Sequence, residues 1–167
     1  MNITTSSRFT QPALIGGAVV GVLSALPIVN MGNVCCCLWV VGGGAVAAYV
    51  LQQNQSTPIT PGDGAVAGLL AGLAGALIFL ILSIPITLVM APMQRVVIER
   101  VIESGRVPPE FREFAGTYAG GLIGLILGFI FQVVAGSIFG TLGGLLGAAI
   151  FKKQLPPGTI DVPPGQV

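Results

Sequence analysis

The chain has 167 residues, of which 53% are apolar and only 8% charged, and it contains no histidine. A soluble domain of this size carries roughly a quarter or more Lys, Arg, Glu and Asp on its surface, so the composition is that of a membrane protein. Seven basic and six acidic residues offer no clustered cationic face for phosphate, which excludes nucleic acid as a partner.

A polar N-terminal segment, 1–12, precedes the first apolar stretch, 13–51, which is broken at Asn30-Met31-Gly32-Asn33. The break predicts a hairpin of two helices, 13–29 and 34–51, each about 17 residues and near the lower limit for crossing a hydrocarbon core of roughly 30 Å. Asn and Gly supply the turn geometry, and Pro27 falls near the end of the first limb, where a missing backbone donor matters least. Arg8 ahead of an apolar run also fits a secretory leader. A second apolar limb comes after it, however, which a cleavable leader lacks.

The segment 52–63 is polar, contains Pro58 and Pro61 and has no basic residue, so it reads as a loop outside the bilayer with Asp63 capping the next helix. That third helix, 64–91, spans about 42 Å, longer than the hydrocarbon core, which implies tilt or a kink at Pro85. Beyond Pro92, Arg95, Glu99, Arg100 and Glu103 alternate with Val and Ile. This predicts a separate amphipathic helix, 93–104, lying in the headgroup region. Gly105 and Pro108-Pro109 end it, and residues 110–114 lead back to the membrane.

The last apolar stretch, 115–151, reads either as one long helix, 117–151, or as two short spans turning near Gln132–Ser137. Its glycines, Gly116, Gly120, Gly124, Gly128, Gly136, Gly140 and Gly144, stand four apart, with only Gln132 interrupting the series and Ala148 extending it. Small residues at this spacing form a groove where a second backbone approaches closely, since lipid supplies no hydrophobic push between helices. Gly64, Gly68 and Gly72 repeat the device. A strict period of four drifts about 40° per step on a 3.6-residue helix, so two successive packing contacts are expected.

The positive-inside rule bears on the number of spans. Four spans place Arg8, Lys152 and Lys153 on one side and Arg95, Arg100, Arg106 and Arg112 on the other, whereas five leave Arg8 alone opposite the other six. Charge favours five. Length favours four, because the final limb of five would be only about 14 residues. The fold expected is therefore an all-α integral membrane protein of four glycine-rich transmembrane helices, or five if the last stretch turns, with one interfacial amphipathic helix. A Pro-rich tail, 154–167, completes the chain.

Chemistry is sparse. No histidine, hydrolase elbow, zinc-protease or phosphate-loop motif occurs, and the carboxylates fall in loops or in the amphipathic segment. Neither catalysis, a metal nor a cofactor is expected. Cys35, Cys36 and Cys37 at the start of the second helix allow acylation or an interchain disulfide, beside the simpler reading of small apolar packing next to Trp39. Among the polar residues in apolar stretches, Ser24, Ser83, Thr87, Ser137 and Thr141 can bond their own helix backbone. Gln132 is the informative one. Its amide is costly in lipid unless it faces another helix, a water-filled cavity or a hairpin tip.

The run from Asn30 to Gly43 resembles the N-x-C-C-L-W-x-x-G-G hairpin of small, uncharacterised bacterial membrane proteins, and the ending from Gly140 to Lys153 is similar to their C-termini. The resemblance implies a multi-pass protein of the bacterial cell (inner) membrane and transfers no active site. Two functions are compatible with these features. One is a structural or accessory subunit that packs through its glycine faces, as a homo-oligomer or within a larger membrane complex. The alternative is a small transporter or channel in which 13–51 and 115–151, each interrupted near its middle, form related halves around a cavity.

Overall fold

Runs of Leu, Ile, Val, Ala and Gly without charge favour helix in a bilayer, because only a helix satisfies every backbone group within its own segment. The computed structural model describes residues 3–26, 29, 33, 37–103, 108 and 121–153. Among them are four helices and no strand: α1 (Ile3–Ala25), α2 (Leu38–Gln53), α3 (Pro61–Glu103) and α4 (Gly121–Ile150). They run up and down in sequence. The hairpin α1–α2 packs against the hairpin α3–α4, α2 touches all three other helices, and α3 also contacts α1.

Several boundaries differ from expectation. The polar segment 1–12 is helical from Ile3, and Pro12 lies fully buried inside α1. Arg8 makes a 2.8 Å ion pair with Asp63 and sits 4.6 Å over the Phe9 ring, which ties this first part of α1 to the start of α3. α1 ends at Ala25 and α2 begins only at Leu38, where Cys37 is left-handed with φ 48°. A non-glycine residue in that region breaks a helix rather than continuing it, so α2 starts later than 34.

The cap of α3 is Thr60 rather than Asp63. Thr60 Oγ1 accepts from the Asp63 backbone N–H at 3.1 Å while the Thr60 N–H donates to Asp63 Oδ2 at 3.1 Å. That reciprocal pair is a capping box, with Pro61 at the first helical position, where its missing N–H costs nothing. The preceding loop is not wholly exposed: Ile59 is buried, and Gln52 in the last turn of α2 holds it by accepting from the Ile59 N–H and donating to the Thr57 carbonyl.

α3 then continues through Pro85 and Pro92 to Glu103. The separate amphipathic helix 93–104 is thus the final part of α3, because each proline removes a single backbone donor and the bonds on either side persist. α4 is also unbroken, so the turn near Gln132–Ser137 does not form. The Ser137 hydroxyl donates to the Val133 carbonyl at 2.7 Å and Thr141 to the Ser137 carbonyl at 2.5 Å, satisfying these side chains on their own helix. Whereas 13–51 contributes two helices, the described part of 115–151, from Gly121, contributes one. The loop residues 110–114 and the tail 154–167 lie outside the described residues.

Candidate functional site

Helix α3 carries Gly64, Gly68 and Gly72 on one row, and α4 carries Gly144, Gly140 and Gly136 on another. The two antiparallel rows meet in that order. A Cβ on Gly68 would fall against the Gly140 carbonyl oxygen, one on Gly72 against that of Gly136, and one on Gly140 at 2.6 Å from the Gly68 oxygen. A Cβ on Gly64 would lie 2.5 Å from both the Gly144 carbonyl oxygen and the Ala148 Cβ. Neighbouring backbones are thus in direct contact, the geometry that small residues permit in lipid.

The second packing contact of α4 uses a different row. Gly143 faces the Val41 carbonyl, and Gly147 would place a Cβ 2.8 Å from that of Ala48 and 2.9 Å from the Ala45 backbone. Helix α1 is seated the same way: Gly16 on Gly43 and Ala47, Gly17 on Ala71 and Ala74, and Gly21 on Ile78 and Gly75. These positions were not singled out from the sequence. Their signal was present as pairs of small residues four apart in which one member is often alanine, such as Gly43 with Ala47 and Ala71 with Gly75.

The upper part of the series behaves differently. Gly116 and Gly120 lie outside the described residues, and Gly124 is half-buried. A Cβ on Gly128 would meet nothing within 4 Å. Where the close contact of α3 with α4 ends, a cavity of about 440 Å³ opens, lined by Asn33, Cys37, Val40, Phe79, Gly128, Phe131, Gln132 and Ala135. It sits over the tip of the α1–α2 hairpin. Trp39 Nε1 donates to the Val29 carbonyl at 2.7 Å there, and the Asn33 side chain bridges the Ser24 hydroxyl at 2.8 Å and the Trp39 N–H at 3.2 Å.

Gln132, the interruption in the glycine series, lines this cavity. It is only 7% exposed, and its Nε2 is buried without an acceptor. Cys37 is also in the lining, while Cys35 and Cys36 lie outside the described residues. Among the described residues, no three His, Cys, Asp or Glu side chains come together as a metal site.

Two of the helices contain apolar segments long enough to cross a bilayer, Pro61–Met90 and Ile123–Ile150. Backbone-close packing beneath an outer surface of Leu, Ile, Val and Phe defines an all-helical membrane domain. Residues 10–153 match the family model of the MJ1491 transmembrane domain, and the chain belongs to that family. No curated protein and no solved structure matches it.

Proposed function

We propose that the chain is a structural or accessory subunit of a membrane assembly, with all four helices in the bilayer and the ends of α3 and α4 beyond the hairpin tip docking on another membrane-embedded chain. The observation that carries this reading is a difference in length. The apolar segments of α3 and α4, 30 and 28 residues, reach about 45 and 42 Å against a hydrocarbon core of roughly 30 Å, whereas α2 has 16 residues. The excess lies past the hairpin, where Leu88 is 74% and Val89 77% exposed. Beside them Leu26, Pro85, Ile86, Val89 and Met90 line a groove of about 350 Å³ that has no polar side chain among the described residues.

The glycine rows are not the docking face in this reading, since each is occupied by a helix of the same chain. Contact with a second copy or a larger partner passes instead through the aliphatic ends of the long helices. A rigid bundle with a projecting apolar pair suits a scaffold that holds another membrane protein in register.

The test is gentle detergent extraction at native expression level, with sizing and mass spectrometry of the extract. A homo-oligomer or a stoichiometric membrane partner is expected, and it should dissociate in the double variant Leu88→Ala, Val89→Ala with membrane insertion unchanged. A clean monomer at all concentrations would sink the proposal.

A further inference from the structure

Among the described residues, Gln132 is the one buried polar side chain of α4 that the fold leaves incomplete. Ser137 and Thr141 bond their own backbone, and Asn33 across the cavity has both ends of its amide engaged. A buried amide left without a partner keeps its desolvation cost with nothing to offset it, and such a group in a folded protein calls for an explanation. Gln132 borders free space, but its Nε2 is itself enclosed, so the amide reaches a molecule in the cavity by a turn about its own side-chain bonds. α3 contributes Phe79 to the cavity, and one turn away on α4 Gly128 supplies no side chain.

The shape and polarity of the space limit its occupant. At about 440 Å³ it is many times larger than the roughly 30 Å³ share of one water and falls in the size range of small-molecule pockets, roughly 300–1,000 Å³. Val40, Phe79, Phe131 and Ala135 make most of the wall, and among the described residues no Lys, Arg, Asp or Glu lines it. Phe131 is itself 69% exposed, so the cavity opens to the outside of the bundle, the side that faces lipid. An ion has no counter-charge here, and a cluster of waters would need two to four polar partners for each molecule. A neutral hydrogen-bond acceptor on an apolar body meets both conditions.

We propose that this cavity binds a lipid-soluble molecule through a carbonyl-type oxygen that accepts a hydrogen bond from the Gln132 amide. The same chemistry is presented by the ester carbonyl of a bilayer lipid and by the ring carbonyl of a quinone-class compound. Asn33 and Cys37 lie on one side of the site and the aromatic rings of Phe79 and Phe131 flank the apolar body. This binding does not depend on the chain having a protein partner.

The experiment uses the full chain. Trp39 is its sole tryptophan and adjoins Val40 of the lining, so its fluorescence reports on the cavity. In one arm the protein is reconstituted in phosphatidylcholine vesicles and titrated with decyl-benzoquinone; in the other, native mass spectrometry of the detergent-extracted protein reads retained phospholipid. Saturable quenching in the first arm assigns the quinone class, and a stoichiometric retained lipid in the second assigns the bilayer lipid. Whichever is seen, Gln132→Leu should weaken it about tenfold, the worth of one buried hydrogen bond, and Gly128→Leu should abolish it by filling the space. A Cβ at Gly128 meets nothing within 4 Å, so the backbone there accepts a side chain and the variant folds even if Gln132→Leu does not. Absence of both signals in the wild-type protein, or a signal that survives Gly128→Leu unchanged, overturns the proposal.

Discussion

The two ends of the α3–α4 pair are built from the same repeat and do opposite things. Between Gly64 and Gly72 on α3 and between Gly136 and Gly144 on α4, each glycine is pressed against a facing carbonyl. One step further along α4, at Gln132, the contact ends, and at Gly128 the missing side chain leaves a hole. A spacing of four therefore marks where backbones are able to approach, and only the partner decides whether they do. In the first region the fourth helix has α3 on one side and α2 on another; in the second, α2 is reduced to its first turn, from which Val40 reaches the cavity wall.

Substitutions that add a side chain separate the two regions most sharply. Gly140→Leu drives a branched side chain into the Gly68 backbone, which cannot yield without separating α3 from α4. The expected loss is about 3 kcal/mol or more, at the upper end of overpacking effects, read as a large drop in the detergent unfolding midpoint monitored by circular dichroism. An unfolding midpoint near that of the wild type would mean that the helices do not meet at these glycines.

A smaller effect is expected at the hairpin tip, where order rests on hydrogen bonds rather than on packing. Asn33→Ala removes the bridge between Ser24 and the first turn of α2 and should cost about 1–2 kcal/mol. The same unfolding assay reads it, and Trp39 emission should shift as its turn loosens. The smallest effect belongs to Gly128→Leu, which should stay within about 0.5 kcal/mol of the wild type, since a side chain there meets no neighbour and leucine favours helix more than glycine does. A collapse equal to that of Gly140→Leu would erase the contrast between the two regions.

Several features were legible in the chain itself. Membrane character and the all-helical class came from local signals: composition and the lengths of uncharged runs. The break near Asn33 also marked a real hairpin. Other features were misread because a local cue was weaker than a distant contact. Pro92 suggested a helix end, yet α3 passes through it. The segment before Pro12 looked like a polar leader to the bundle, yet Arg8 finds Asp63 and the helix extends to include it. Gln132 was expected to face another helix, a water-filled cavity or a hairpin tip, and the continuity of α4 removes the last of these.

What the sequence determined alone was how each segment meets its solvent, because the cost of placing a peptide group or a charge in lipid is set residue by residue. What only the tertiary structure decided was which faces meet and where they part. In a bilayer the apolar surface of a helix looks the same to lipid as to another helix, so hydrophobicity cannot choose partners. The choice falls to register, to where α1 and α2 stop while α3 and α4 go on, and that difference in length, set by residues far apart in the chain, is what opens the cavity beside Gln132.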